Sequence, residues 1–282
     1  RRARSSAWTD APVAHYAARM SERFPVLPGA EAWSSPGSGA RSDIGIVVSH
    51  GFTGNPTATR PLGEALAARG LAVEVIRLPG HGTHWRDMAA TRYGDWRWEM
   101  DRALSDLLQR GKRVVLSGLS MGGTIALDVA CARPDRVAGV VPINCTVLDR
   151  EGALAKAAPV LEHLLPVVPA SLGGLIKNDI AKGGDEKAYD TLPTKSGNSF
   201  LKQLPRIRRG VEALKLPVLV AYSPEDHSVP PQNSRALIEM LPSGFATELV
   251  LPRSYHVATL DHDFDLLVEQ IAEFAERVGK VS

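Results

Sequence analysis

The chain has 282 residues, of which 44% are hydrophobic and 23% charged, so it is long and apolar enough to bury a substantial core. Its 33 basic and 31 acidic residues leave a formal net charge of +2, which is too small to attract nucleic acid through phosphate contacts. We therefore expect no nucleic-acid partner. Cys131 and Cys145 are too few for a disulfide framework and lack the spacing of a zinc or redox motif, which favours two buried thiols.

The chain opens with residues 1–20, which carry four arginines but no apolar stretch of the kind found in a secretory signal. We expect this segment to be an extension outside the fold. No run of about 18 apolar residues follows anywhere, so no membrane span is predicted and a cytoplasmic location is expected.

From residue 44 onward, short runs rich in Val and Ile alternate with longer stretches of helical periodicity. This alternation is typical of βαβ units and predicts an α/β fold with a mostly parallel central sheet and helices on both faces. The strands are predicted at Ile44–Ser49, Ala72–Ile76, Val114–Ser117, Val137–Ile143, Val218–Tyr222 and Ala246–Leu251, and the helices at Pro61–Arg69, Trp96–Arg110, Gly122–Ala132, Gln232–Met240 and Asp263–Val278.

The alternation is lost between Asn144 and Leu216, a stretch rich in Leu, Pro and Gly. An ordinary connection between a helix and a strand takes about 2–6 residues, so this stretch is too long to be a simple loop. We expect residues 146–211, called the insert below, to form a small cap. The core would then comprise residues 21–145 and 212–282.

A G-x-S-x-G element, Gly118-Leu-Ser120-Met-Gly122, lies between a predicted strand and a predicted helix. A sharp turn there would raise the Ser120 hydroxyl above the edge of the sheet, and small neighbours would leave room for the strained turn. Ser120 is therefore the candidate nucleophile.

A serine nucleophile needs a base, and the base needs an acid that fixes its tautomer. In this type of sheet the three residues occur along the chain in the order Ser, acid, His. Glu225 and Asp226 follow the strand that ends at Tyr222, and both are candidate acids. His256 follows the last predicted strand and is the candidate base, with His262 as the alternative.

Two backbone N–H groups are expected to bind the oxyanion that forms during acyl transfer. One belongs to Met121, the residue after the nucleophile, and the other to Phe52, in the glycine-containing loop after the first predicted strand. The chain has no P-loop, G-x-G-x-x-G, H-E-x-x-H or EF-hand string, so we expect no metal and no cofactor.

Five short strings, beginning at residues 50, 78, 118, 225 and 254, resemble the α/β-hydrolase family. They are His50-Gly-Phe-Thr-Gly, Leu78-Pro-Gly-His-Gly-Thr-His, Gly118-Leu-Ser-Met-Gly-Gly, Glu225-Asp-His-Ser-Val-Pro and Ser254-Tyr-His-Val-Ala-Thr-Leu-Asp. They are most similar to its bacterial monoacylglycerol lipase and carboxylesterase branch. The resemblance implies a triad of Ser120, Asp226 and His256, so it favours Asp226 over Glu225 as the acid. It also implies that the insert is a lid over an apolar tunnel.

The expected activity is hydrolysis of a carboxylic ester through an acyl-enzyme, with monoacylglycerol as the favoured substrate. The expected binding partner is thus a small-molecule lipid ester. A lipid-binding cap could also make transient contact with a membrane or micelle. Leu172, Leu175 and Ile176 are predicted to form the apolar wall of the substrate site. The resemblance implies that Glu186, three residues before Tyr189, faces the glycerol hydroxyls, and the alternative for this stretch is a solvated helix turn. The alternatives are a general carboxylesterase, a thioesterase, or a catalytically idle ligand-binding module on the same fold.

Overall fold

A computed structural model of the chain describes residues 23–149, 164–172 and 176–280. The predicted extension at residues 1–20 and Leu175 lie outside these ranges. The strands are β1 (Trp33–Ser35), β2 (Ile44–Ser49), β3 (Ala72–Ile76), β4 (Arg113–Leu119), β5 (Gly139–Ile143), β6 (Val167–Pro169), β7 (Thr191–Pro193), β8 (Val218–Tyr222) and β9 (Ala246–Val250). The helices are α1 (Arg60–Ala68), α2 (Trp85–Ala89), α3 (Tyr93–Gln109), α4 (Met121–Ala132), α5 (Thr194–Leu201), α6 (Leu204–Val211), α7 (Gln232–Met240) and α8 (Phe264–Lys280).

Seven of these strands form one sheet in the order β1-β3-β2-β4-β5-β8-β9. All neighbouring pairs are parallel except β1 with β3, which is antiparallel. The predicted mostly parallel sheet is therefore confirmed. Strand β1 was not predicted, because three residues are too few to show a periodic pattern.

The central strands are apolar on both faces because helices cover both sides of the sheet. In β2, Val47 packs into the cluster that contains the buried residues of α3 and α4. Its neighbours Ile46 and Val48 pack into the opposite cluster, with the buried residues of α1 and α8. The continuous apolar run that predicted this strand thus serves two separate cores.

Local hydrogen bonds, rather than apolar periodicity, determine where helix α3 begins. Helix α3 begins at Tyr93, three residues before the predicted start at Trp96. The Arg92 N–H donates to the Asp95 side chain at 2.8 Å, which is one half of a capping box. The helix ends before Gly111, whose φ of +72° is a conformation that glycine adopts without strain.

The insert contains a small sheet, β6 paired antiparallel with β7, and the helices α5 and α6. Leu204, Ile207 and Val211 of α6 are buried in the same cluster as α4. This part of the insert packs directly on the core, and the division into cap and core stays a prediction. In the described parts of the chain, no helix combines the length and the apolar character needed to cross a bilayer.

Candidate active site

Ser120 lies between β4 and α4 with a φ of +55°, a strained value for a residue with a side chain. Its N–H donates to the Ile143 carbonyl at 2.8 Å, which ties the turn to β5. A Cβ on Gly122 would lie 2.6 Å from the His50 carbonyl oxygen, and one on Gly118 would lie 2.4 Å from the Gly122 carbonyl carbon. Both flanking positions therefore require glycine for this turn to form.

Asp226 and His256 lie in the loops that follow β8 and β9, at the carboxyl edge of the sheet. The Nδ1 of His256 donates to Oδ2 of Asp226 at 2.7 Å. Burial lowers the pKa of His256, but the charge of Asp226 and this hydrogen bond outweigh burial, so the pKa is raised overall. Of the two candidate acids, the structure places Asp226 against the imidazole, whereas Glu225 is exposed. His262 is also exposed.

Asn144 and Asp179, which sequence reasoning did not single out, both bind the backbone of the His256 loop. Asn144 follows β5 with a φ of +46°, and its side-chain amide donates to the His256 carbonyl at 2.7 Å. Its side-chain oxygen accepts from the Ser223 N–H at 2.8 Å, so Asn144 joins the loops after β8 and β9. A polar residue directly after a buried strand was the available signal, because ligand and catalytic groups gather at strand carboxyl ends.

The loop that carries Phe52 lies beside Ser120, since a Cβ on Gly51 would be 3.0 Å from Ser120 Cβ. His50 holds this loop: its Nδ1 donates to the Gly51 carbonyl at 2.9 Å, and its Nε2 accepts from the Leu78 N–H at 3.1 Å. Burial and the neighbouring His81 lower the pKa of His50, which is therefore neutral. Met121 is the first residue of α4, where an N–H has no acceptor within the helix.

A small cavity brings several of the predicted site residues together. It is lined by residues that include Ser120, His256, Phe52, Ile176, Glu186 and Tyr189, and it encloses about 30 Å³. This volume is below the range of about 300–1,000 Å³ that is typical of pockets for drug-sized ligands. Leu172 is 63% exposed and is not among the described residues that line the cavity.

Glu186 is buried, and its Oε1 accepts from the Asn178 N–H at 3.0 Å. Burial raises the pKa of its carboxyl group. Tyr189 also lines the cavity, but its hydroxyl accepts from the Thr83 N–H at 2.7 Å and donates to the Gly80 carbonyl at 3.1 Å. Tyr189 is thus committed to the loop after β3, and Glu186 is the acidic group of the cavity wall.

Further bonds hold the segment 177–190 to the core around this cavity. Asp261 accepts from the N–H groups of Ala181 at 2.7 Å and Lys182 at 3.1 Å. On the other side, the Asn55 amide donates to the Lys187 carbonyl and the Thr57 hydroxyl to the Glu186 carbonyl, both at 2.8 Å.

The family described as serine aminopeptidase S33 matches residues 41–263 of the chain. A thermostable monoacylglycerol lipase from a Bacillus species is 38% identical over 90% of this chain and 98% of its own length. A solved structure reported for LipS and LipT, two metagenome-derived lipolytic enzymes, has a TM-score of 0.82 and 36% identity, covering 90% of this chain and 100% of that one.

A monoacylglycerol lipase from Paleococcus ferrophilus shares the fold, with a TM-score of 0.69 at 22% identity over 88% of this chain and 99% of its own. The chain therefore belongs to the serine aminopeptidase S33 family and has the α/β-hydrolase fold.

Proposed function

We propose that this chain, a carboxylic ester hydrolase, cleaves monoacylglycerols to a fatty acid and glycerol, with Ser120 as nucleophile, His256 as base and Asp226 as acid. The arrangement that supports these roles is the hydrogen-bonded pair of Asp226 and His256 beside the same cavity as the strained Ser120. Because Asp226 fixes the Nδ1 proton of His256, the Nε2 atom is free of its proton and can accept one.

In the proposed reaction, His256 takes the proton from Ser120 Oγ as that oxygen attacks the ester carbonyl. The backbone N–H groups of Phe52 and Met121 bind the tetrahedral oxyanion. His256 then gives the proton to the departing glycerol oxygen, which leaves the acyl group on Ser120. Water attacks the acyl-enzyme by the same sequence of proton transfers and releases the fatty acid.

The substrate proposal rests on Glu186, a buried acidic side chain on the wall of the cavity that also holds Ser120 and His256. A carboxylate there can accept hydrogen bonds from two glycerol hydroxyls, whereas a simple alkyl or aryl ester offers it no partner. The relative that is 38% identical is described as a monoacylglycerol lipase, which points to the same alcohol.

Replacing Glu186 with Gln tests the substrate directly. The value of kcat/KM for p-nitrophenyl laurate, which has no glycerol, should fall about fivefold, because the change removes a negative charge that acts on His256. We expect kcat/KM for monolauroylglycerol, which has the same acyl chain, to fall about tenfold further, the cost of one hydrogen bond to a charged group. Steady-state kinetics on both esters give the comparison.

The exposed neighbour Asp185, changed to Asn, is the matched control and should alter neither ester. Ser120→Ala should remove activity on both and so report any background. Equal losses on the two esters in Glu186→Gln would mean that Glu186 acts only through its charge or the cavity wall and does not recognise glycerol. No loss on either would refute glycerol recognition by Glu186.

A further inference from the structure

Asp179 is a buried carboxylate of the insert that lies outside the predicted triad and is 4% exposed. Its Oδ2 accepts from the backbone N–H of His227 at 3.1 Å and from the backbone N–H of His256 at 3.3 Å. Its Oδ1 accepts from Nδ1 of the His227 ring at 2.8 Å. Its own carbonyl accepts from the Val257 N–H at 3.0 Å. One residue of the insert therefore binds two loops of the core.

These two loops carry the acid and the base. His227 directly follows Asp226, so a bond to its N–H fixes the chain that presents the acid. The N–H of His256 is bound by Asp179, while its carbonyl is bound by Asn144. The backbone of the base is thus held from both sides, once from the insert and once from the end of β5.

A buried carboxylate is costly unless hydrogen bonds compensate for its burial. Asp179 has bonds from two backbone N–H groups and from the ring of His227, whose side chain is 48% exposed and packs edge-on against Tyr255 at 4.6 Å between ring centroids. This second His–Asp pair lies beside the first, and the proposed reaction makes no use of it.

We infer that Asp179 is a positioning residue for the ester hydrolysis proposed above: it sets the spacing of Asp226 and His256 and adds a negative charge that favours the imidazolium form of His256. It exchanges no proton with the substrate. The proton moves from Ser120 to His256 and then to the leaving alcohol, and Asp179 stabilises the state in which His256 holds it.

Three acidic groups face His256, namely Asp226, Glu186 and Asp179. Burial lowers the pKa of the imidazole, and all three charges raise it, with Asp226 contributing most. Asp179 acts through a backbone N–H rather than a ring nitrogen. Its charge should therefore matter less than that of Asp226, which bonds to the ring itself.

Asp179→Asn separates the charge from the geometry. The amide oxygen can replace Oδ2 and accept from the same two N–H groups. The NH2 group then faces Nδ1 of His227, which can accept by moving its proton to Nε2, since the ring is half exposed. We expect kcat for p-nitrophenyl laurate to fall about fivefold with KM unchanged, and the acidic limb of the kcat/KM profile to move to lower pH.

Asp179→Ala removes both the charge and the bonds, so kcat should fall about 100-fold or more, as expected when reacting groups are misplaced. Asp190→Asn is the matched control. It removes one negative charge from the same segment, at a side chain that is 79% exposed, and should leave kcat and the pH profile unchanged.

Unchanged kcat and an unchanged pH profile in folded Asp179→Asn would overturn the inference. So would a change confined to KM, which would indicate a role in substrate access. Should Asp179→Ala fail to fold, the Asn variant alone decides. Because the substrate of this assay has no glycerol, a failed test of glycerol recognition at Glu186 leaves the outcome for Asp179 unaffected.

Discussion

The two carboxylate oxygens of Asp226 have different partners, and this division fixes the orientation of the side chain. Oδ2 accepts from His256, while Oδ1 accepts from the N–H groups of Ser228 at 2.8 Å and Val229 at 2.7 Å. In Asp226→Asn the amide oxygen must occupy the position of Oδ1, because two backbone N–H groups donate to that position. The NH2 group must then face Nδ1 of His256, so the ring proton moves to Nε2, where it blocks transfer from Ser120.

We therefore expect Asp226→Asn to lower kcat by about 10⁴-fold, the size of effect seen when a triad histidine is held in the wrong tautomer. The assay is p-nitrophenyl laurate hydrolysis near neutral pH. Glu225→Gln is the control one residue away and should behave as the unchanged protein, because Glu225 is exposed. The reverse result would make Glu225 the acid.

At the residue scale, the sequence predicted candidate catalytic residues but not the residues that hold them. Ser120 and His256 were predicted because a triad follows a known order along strands and loops, whereas Asp226 was preferred to Glu225 through the family resemblance. Asn144 and Asp179 bind backbone groups that are distant in sequence. For Asn144 the sequence offered only a polar residue directly after a buried strand, and for Asp179 it offered no periodic or motif signal, so the structure was needed to show what they bind.

Helices α3, α4 and α6 meet at Asp128, a buried residue of α4, the helix that follows Ser120. Its carboxylate accepts from the Tyr93 hydroxyl at 2.8 Å, from Arg97 at 3.0 Å, and from two nitrogens of Arg206, each at 2.7 Å. The Arg206 bonds join the insert to the core. The charge of the two arginines and these bonds outweigh burial and lower the pKa of Asp128.

Asp128→Asn should lower the free energy of unfolding by about 2 kcal/mol, because it breaks a buried ion network. We place the value below the usual range for buried pairs because the Arg97 and Arg206 side chains are 24% and 49% exposed and can reach water. Asp106→Asn, which removes an ion pair with 43% exposure on both sides, should cost less than about 0.5 kcal/mol. Urea unfolding measures both, and equal effects would contradict a structural role for the network.

At the element scale, the regular part of the chain was predictable and the insert was not. Strands β2, β3 and β8 and helix α7 have the predicted bounds because each has a strong apolar pattern between clear turn residues. Helix α2 was missed, since its five residues begin at a cap made by the His84 ring, which accepts from the Arg86 N–H at 3.1 Å. The β6–β7 pair was missed because each strand has only three residues.

On the scale of the whole molecule, two buried histidines make stability depend on pH. His81 is fully buried, and burial lowers its pKa from 6.5 to about 4. A histidine whose folded-state pKa is lowered stabilises the fold above its unfolded pKa, and that stability is lost as pH falls to the folded value. Burial lowers the pKa of His50 as well, with the same sign.

We expect the free energy of unfolding to fall between pH 6.5 and pH 4, by about 3 kcal/mol from His81 alone. His256 opposes this trend, since its raised pKa contributes stability at low pH that is lost as pH rises. Urea unfolding at about pH 7, 5.5 and 4 measures how the free energy of unfolding depends on pH. His81→Asn should reduce this dependence, whereas His262→Asn, at an exposed position, should leave it unchanged. If His81→Asn has no effect on it, other groups cause the loss of stability in acid.

The bonds along segment 177–190 limit how the enzyme can be re-engineered. Its partners, Asp261, Asn55 and the loops of His227 and His256, belong to the core, so both surfaces of each contact must match. The insert contributes backbone groups to most of these bonds, so a relative's insert grafted onto this core keeps them only where its chain follows the same path at residues 177–190 and has an acid at the position of Asp179. Exchanging the insert to change substrate range therefore requires that this path and this acid are kept, or that the loops of His227 and His256 are redesigned with it.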